Sequence, residues 1–254
     1  TGAIWVGTEG AGLYRLQDQQ WKHFGPMDGL SNLFVWCVSA DARGRMWAGT
    51  WGGGMFMQAG NHFVVPPGLE NINVPMAAIL QTPPDVTWIG TAGGLLRYQA
   101  GTVKRYGEQD GLIVPDVRAI VAAPDGTVWF GMLGGGLGRL RAGHVRQFLK
   151  SDGLASDYVQ CLNLQTNGTL WIGTYGSGLA RLQDGHFSKV STADGLPDNF
   201  ICAIENDDRG NFWISSHNGI FRVAIENLAA AADGRMTNLP TLKYGKGEGM
   251  SSLV

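Results

Sequence analysis

The chain alternates short apolar runs with turns rich in glycine and aspartate. One such run, 199–206 (NFICAIEN), leads through an Asp/Gly turn into a tryptophan-containing run, and two further short runs complete the pattern. Short alternating runs bounded by Gly and Asp are typical of β-strands joined by tight turns. Each repeat therefore predicts four strands, which we term a, b, c and d. Helical periodicity predicts a single helix, at 225–234.

The same pattern recurs six times along the chain. Its anchors are tryptophans separated by 42, 41, 41, 42 and 42 residues: Trp5, Trp47, Trp88, Trp129, Trp171 and Trp213. Four strands in a repeat of about 42 residues indicate a β-propeller blade. The sequence predicts an all-β fold, a β-propeller of four-stranded antiparallel blades, with residues 1–254 as a single propeller domain or a fragment of one. A right-handed β-solenoid is the structural alternative, but its coils are shorter.

The glycine cluster in each repeat could be mistaken for a dinucleotide-binding loop. That motif needs a strand, Gly-x-Gly-x-x-Gly and a helix, whereas the segment 170–182 (LWIGTYGSGLARL) continues into a second strand. We interpret the cluster as the turn between strands b and c. Its first glycine, replaced once by asparagine, is expected to take a positive φ, which these two residues adopt most easily. The positions are Gly10, Gly52, Gly93, Gly134, Gly176 and Asn218.

A second motif, Asp-Gly-Leu, stands 19 residues before each of four tryptophans. It falls between strand d and the next strand a. There we expect aspartate to bind the backbone, glycine to take a special dihedral angle and leucine to fill the gap between blades. Degenerate copies occur at 68–70 (GLE) and 248–250 (EGM). The full copies are Asp28–Leu30, Asp110–Leu112, Asp152–Leu154 and Asp194–Leu196.

These motifs carry a family resemblance. The segments 152–182 and 194–223, from Asp-Gly-Leu through the tryptophan strand to strand c, resemble the two-component regulator propeller repeat. The likeness extends over essentially the whole chain. The repeat around 46–87 departs from it, because it lacks a clean Asp-Gly-Leu and carries Met55 and Met57 in strand c.

The resemblance implies a sensor module on the periplasmic or extracellular side of a bacterial inner-membrane protein, as in hybrid histidine kinases. Propellers of this family usually have seven blades and are followed by an immunoglobulin-like domain, a membrane span and a kinase. Because the chain starts in a strand b and stops where a strand a would begin, we expect a piece of a longer array. We also expect 250–254, or a neighbouring chain, to cover the edge of the first blade.

Composition excludes several classes of function. The net charge is −2 without any Lys/Arg run, so no nucleic-acid partner is predicted. No apolar run approaches the roughly 18 residues of a membrane span. His62, His144 and His186 recur at the start of strand d, where they point apart, so no metal site is predicted, and no cofactor is expected.

Two further residue types invite functional interpretations. Cys37 and Cys161 occupy a repeat position that otherwise holds alanine, and together with Cys202 they are predicted to be free thiols. Five arginines recur in strand c and are predicted to tie each blade to a loop carboxylate or carbonyl. A cationic ring for an anionic ligand is the alternative. They are Arg15, Arg97, Arg139, Arg181 and Arg222.

The candidate ligand site lies on the face of the b–c turns and d–a connections. The position after Gly-Thr varies while the backbone pattern stays fixed, as a recognition surface requires. Exposed aromatic residues there suit the apolar faces of sugar rings. We expect Trp51 and Tyr175 to stack on a neutral or weakly charged glycan and His217 to make a polar contact. Other site residues are Glu9 in the turn and Asn32, Asp116, Asp157 and Asn199 before strand a.

The predicted function is therefore that of a non-catalytic, ligand-sensing propeller that binds an oligosaccharide or another small molecule, and a homodimer is a possible assembly. Two alternatives come from different classes. One is a propeller lyase or hydrolase acting on polysaccharide, in which His217 is the general base. The other is a scaffold whose blades serve dimerisation or protein docking.

Overall fold

The computed structural model describes residues 2–250. Its contacts divide the chain into two compact units. Unit 1 contains the residues up to Gly111 together with Pro115–Ile120, and unit 2 contains Leu112–Val114 together with the residues from Val121 onward. The expectation that 250–254 covers the first blade concerns a segment that lies, except for Met250, outside the described residues.

The first three sheets are antiparallel and follow chain order. Sheet 1 has three strands in the described chain, which correspond to b, c and d of the repeat. Sheets 2 and 3 have all four. The strands are β1 (Ile4–Gly7), β2 (Leu13–Gln17), β3 (Gln20–Phe24), β4 (Val35–Ala40), β5 (Met46–Thr50), β6 (Met55–Ala59), β7 (His62–Val64), β8 (Met76–Thr82), β9 (Val86–Thr91), β10 (Gly94–Gln99) and β11 (Thr102–Tyr106).

Sheets 4, 5 and 6 are four-stranded. Their strands are β12 (Val117–Ala122), β13 (Val128–Met132), β14 (Gly136–Arg141), β15 (His144–Phe148), β16 (Val159–Leu164), β17 (Leu170–Thr174), β18 (Leu179–Gln183), β19 (His186–Val190), β20 (Ile201–Asn206), β21 (Asn211–Ser216), β22 (Gly219–Ala224) and β23 (Thr241–Tyr244). One helix, α1 (Ile225–Ala232), stands where the periodicity predicts it. The fold is a β-propeller, as the repeats predict.

The Asp-Gly-Leu connections behave as expected. Each aspartate ends a short 3₁₀ turn and accepts a hydrogen bond from the backbone N–H three residues earlier, at 2.8–3.0 Å. Each glycine has a positive φ, between 84° and 100°. The leucines are buried, and Leu30 packs among residues of sheets 1 and 2. The 3₁₀ turns are Pro26–Asp28, Glu108–Asp110, Lys150–Asp152, Thr192–Asp194 and Lys246–Glu248.

The b–c turns have two lengths, which the sequence interpretation did not separate. Positive φ is confirmed at Gly10, Gly52, Gly134 and Gly176. The prediction is wrong at Gly93 and Asn218. In sheets 3 and 6 the turn is one residue shorter, so Thr91 pairs with Gly94 and Ser216 with Gly219. The positive φ therefore moves to those two paired glycines, at 133° and 102°.

A hydroxyl closes five of these turns. The residue that ends strand b donates its hydroxyl hydrogen to the carbonyl oxygen of the glycine at the start of strand c, at 2.7–3.0 Å. This bond accounts for the threonine or serine after the strand b glycine. The donors are Thr8, Thr50, Thr91, Thr174 and Ser216.

The prediction for the strand c arginines is right for one and wrong for four. Arg181 pairs with Asp233 just beyond α1 at 2.5 Å. In the other four sheets the guanidinium carbon instead lies 5.7–6.0 Å from the centre of the anchor tryptophan ring of its own sheet. The two residues are direct cross-strand partners, so the cation rests on the indole. These pairs are Trp5–Arg15, Trp88–Arg97, Trp129–Arg139 and Trp213–Arg222.

The strand b glycine marks the closest approach between successive sheets. A Cβ atom added to Gly90 would lie 2.9 Å from both Cγ1 and the carbonyl oxygen of Val117, and one added to Gly49 would lie 2.6 Å from Cys37 Sγ and 3.1 Å from Met76 Cβ. Real Cβ atoms essentially never come closer than 3.0 Å to such atoms. The glycine of Trp-x-Gly-Thr is therefore required by packing.

We expect Gly90→Ala to lower the free energy of unfolding by about 1–3 kcal/mol, because the methyl group must displace the Val117 backbone. Urea unfolding followed by circular dichroism measures the loss. Gly247→Ala is the matched control, since nothing lies within 4 Å of its added Cβ, and it should stay within about 0.5 kcal/mol of wild type. Equal stability of the two variants would contradict the close-approach explanation.

Candidate functional site

An indole pair, Trp36 and Trp51, forms the most distinctive surface feature of unit 1. The two rings stack with their centres 4.1 Å apart and their planes at 30°. Trp36 lies at the start of β4 and Trp51 in the turn after β5. Both remain well exposed, at 44% and 41%. A large aromatic surface that stays open to solvent is typical of a binding site.

A guanidinium group joins the indole pair to a carboxylate. The Arg118 guanidinium carbon lies 5.7 Å from the ring centres of both Trp36 and Trp51. Its Nη2 atom also donates to Asp116 Oδ2 at 2.7 Å. The ion pair is mostly shielded from solvent, with 14% of the arginine side chain and 22% of the aspartate side chain exposed. The structure thus brings together the predicted residues Trp51 and Asp116 through an arginine that was not predicted.

Asn32 supports the turn that carries Trp51. Its side-chain nitrogen donates to the Trp51 carbonyl oxygen at 3.2 Å, and its side-chain oxygen accepts from the Phe34 N–H at 2.9 Å. The Trp51 N–H donates in turn to the Phe34 carbonyl. These bonds hold the backbone on which the indole pair stands. The predicted residue Glu9 is exposed and forms an isolated β-bridge with Phe34.

Unit 2 contains an aromatic trio made of Tyr175, Phe200 and His217. The rings of Phe200 and His217 stack with centres 4.8 Å apart and planes at 7°. Tyr175 meets both rings edge-on, at 4.8 Å and 5.5 Å. Tyr175 is 47% exposed. The predicted residues Tyr175 and His217 therefore lie together, and the contacts of the imidazole in this group are aromatic.

Asp157 and Asn199 stabilise loops. An Asp157 carboxylate oxygen accepts the Lys150 N–H at 2.7 Å, and the Asn199 side-chain oxygen accepts the Thr192 N–H at 2.9 Å. Their backbone carbonyls accept two N–H groups each from the neighbouring b–c turns. Through side chain and backbone together, both residues fix the d–a connection against the b–c turn.

Trp36 and Arg118 were missed because they occupy a repeat position at which strand a usually carries a bulge, as it does at Trp36. In four sheets the register between strands a and b shifts at this point, which leaves one residue of strand a out of the ordinary alternation. Bulges of this kind redirect a side chain. The signal was present in the sequence, because this position varies strongly between repeats while its neighbours do not. Its occupants are Trp36, Ala77, Arg118, Gln160 and Cys202.

The thiols offer no activated nucleophile. Burial raises the pKa of Cys37 to about 12, and burial also raises the pKa of Cys161. Cys202 is exposed, and partial burial followed by the charge of Asp198 raises its pKa. Across residues 2–250, no three His, Cys, Asp or Glu residues are grouped so that they could hold a metal ion. No helix in the same range is long and apolar enough to cross a membrane.

A known protein family matches the chain at three of the same repeats. Three segments, 29–52, 153–176 and 195–218, match the model of the two-component regulator propeller. Each segment starts at the glycine of an Asp-Gly-Leu motif and ends in the following b–c turn. Three of the six repeats thus match this family model. The resemblance found in the sequence is therefore confirmed, whereas no curated protein sequence matches the chain.

Solved structures show the same fold. The extracellular domain of a putative hybrid two-component system from B. thetaiotaomicron matches with a TM-score of 0.82 at 23% identity, over 98% of this chain and 33% of that one. A second such domain from that organism matches with a TM-score of 0.74 at 18% identity, over 96% and 35%. The chain therefore spans about a third of the length of these two relatives.

A propeller enzyme is also similar in structure. A catalytically inactive virginiamycin B lyase from Staphylococcus aureus, solved with quinupristin, matches with a TM-score of 0.76 at 15% identity. The match covers 99% of this chain and 82% of the lyase. At these identities the likeness concerns the fold alone.

The cysteines should differ sharply in reactivity. In native protein at pH 8, Cys202 should be labelled by iodoacetamide far faster than Cys37. At a pKa of about 12 only about one Cys37 thiol in ten thousand is the reactive thiolate. Mass spectrometry of tryptic peptides measures the rates. Rapid modification of Cys37 without unfolding would contradict the burial that raises its pKa, and labelling in urea provides the control.

Proposed function

We propose that this propeller is the ligand-recognition module of a bacterial two-component signalling protein, on the extracellular side of the membrane, and that it binds without turnover. The repeats and the two sensor-domain relatives support the class of protein. The observation that carries the ligand proposal is the exposed indole pair with Arg118 beside both rings. The indole pair provides a rigid apolar face, and the nearby Asp116–Arg118 pair provides polar groups.

The chemistry of this surface favours a neutral glycan. Sugar rings present an apolar C–H face that stacks on indole, and their hydroxyl groups accept from guanidinium and donate to carboxylate. The charges of Asp116 and Arg118 cancel each other at 2.7 Å, so the surface offers little net attraction to a polyanion. The aromatic trio in unit 2 supplies a further stacking surface with Tyr175 exposed. Ligand pockets commonly combine apolar walls with a few orienting polar groups.

Two other functions are tested alongside this one. A lyase or hydrolase would require His217 to act on a bound substrate, whereas its contacts here are with Phe200 and Tyr175. A protein scaffold would use the same exposed rings to bind another chain. Turnover of the glycans tested would favour a lyase or hydrolase. Concentration-dependent association without glycan binding would favour a protein scaffold.

We expect Trp51→Ala and Trp36→Ala each to weaken binding of a neutral oligosaccharide by about tenfold or more, since stacking on an aromatic side chain contributes on the order of 1–2 kcal/mol. Isothermal titration calorimetry against a panel of neutral and uronic-acid oligosaccharides measures the loss. Tyr175→Ala tests the surface of unit 2 in the same assay.

Trp21→Ala is the matched control, because this tryptophan lies on β3 and is 60% exposed. It should leave both binding and melting temperature unchanged. Full binding by the Trp51→Ala and Trp36→Ala variants, or loss of binding only together with loss of folding, would overturn the assignment of the site.

A further inference from the structure

Sheet 2 departs from the arginine–tryptophan pattern of the other sheets. Its anchor Trp47 pairs across the strands with Met57, where four other sheets place an arginine over the ring. Methionine is shorter, flexible and uncharged, and the indole itself is buried, with 2% of its surface exposed. Trp47 instead packs against Tyr98 of sheet 3, with ring centres 5.6 Å apart in an edge-to-face arrangement.

A cleft of about 540 Å³ opens beside this exception. Its apolar walls are Trp47, Met57, Pro67, Pro84 and Tyr98. It lies on the side of the a–b and c–d turns, away from the indole pair. Its volume falls within the range of small-molecule sites, and aromatic, proline and thioether walls suit a flat apolar group.

An amide without a complete set of partners lines the same cleft. The Gln81 side-chain oxygen accepts the Thr87 hydroxyl at 2.9 Å, whereas its side-chain nitrogen is buried and has no hydrogen-bond partner in the described chain. If the Gln81 amide were turned over, its nitrogen could donate to the Thr87 hydroxyl, but its oxygen would then be unpaired. One end of the amide therefore lacks a partner in either orientation. A buried unpaired amide costs about 1–3 kcal/mol, and a ligand amide would remove that cost.

The charges at the cleft cancel. Asp41 is held by Arg45 at 2.7 Å, and Asp85 lies 3.6 Å from Arg43. Two carboxylates thus face two guanidinium groups, which disfavours a ligand with net charge. From the apolar walls of the cleft, the methionine that replaces the strand c arginine, the unpaired Gln81 amide and this balance, we propose that the cleft binds a small neutral aromatic compound that carries a carboxamide.

N-acetyl-L-phenylalaninamide is a suitable probe, because it is neutral and combines a phenyl ring with a primary carboxamide. NMR titration that follows the tryptophan indole N–H signals should show a shift of the Trp47 signal on addition of the probe. N-acetyl-L-alaninamide lacks the ring and should leave that signal unchanged. If the probe moves only other tryptophan signals, or none, the proposal is wrong.

Met57→Arg is the decisive variant, since it restores the residue that the other sheets use. The longer, charged side chain should occupy the cleft that Met57 lines and weaken probe binding at least tenfold, with the melting temperature maintained. Met27→Arg makes the same substitution in the 3₁₀ turn Pro26–Asp28, where Met27 is 99% exposed, and should bind as wild type does. Unchanged probe binding by a folded Met57→Arg variant would overturn the proposal.

A second variant tests the amide independently. The double substitution Gln81→Leu with Thr87→Val removes both hydrogen-bonding partners together, so the fold should tolerate it. We expect binding of the phenylalaninamide probe to weaken by about 3- to 10-fold. Retained affinity in a folded double variant would show that Gln81 makes no contact with the ligand and would contradict the proposed carboxamide recognition.

Discussion

The structure depends on the close approach of each sheet to the next at the glycine of Trp-x-Gly-Thr. An added Cβ atom would collide with the first strand of the following sheet at Gly7, Gly49, Gly90, Gly131 and Gly173. Because a four-stranded sheet cannot bury both of its faces alone, stability comes from stacking such sheets at short distance. The constraint also explains the small residues of strand a: the Cys37 and Cys161 sulfur atoms lie directly against the glycine positions, so a larger side chain there would force the sheets apart.

A backbone fixed in this way leaves a few positions free to vary. The bulge in strand a and the first residue of the b–c turn both stand beside the crowded glycine, yet their side chains leave the core. They carry Trp36 and Trp51 in sheet 2, and Trp51 is held by a backbone hydrogen bond to Phe34 and a side-chain hydrogen bond from Asn32. Function can therefore change at these positions without loss of the close packing, which is how a repeat scaffold serves different ligands.

The fold could be predicted from the sequence, because the tryptophans and the Asp-Gly-Leu loops report local geometry that every repeat shares. The site could be predicted only in part. Trp51 was found because the turn position varies. Trp36 was missed because a bulge breaks the alternation that assigns a side chain to a face, and Arg118 holds the same repeat position in β12. Arg118 also reaches aromatic residues that belong to a distant repeat. The positive φ at Gly93 and Asn218 was wrongly assigned because the hydrogen-bond register, and not the residue type, sets the turn length.

The arrangement of the aromatic residues bears on how a ligand would be bound. An exposed tryptophan that no neighbouring ring holds in place must lose side-chain freedom when a ligand stacks on it, and that loss reduces affinity. Trp36 and Trp51 have already lost this freedom, since each ring stacks on the other and Arg118 lies beside both. Folding already orders the two indole side chains, through their stacking, the Asp116–Arg118 pair and the turn that Asn32 holds. A ligand then meets a prepared surface, so most of its stacking energy remains available as affinity.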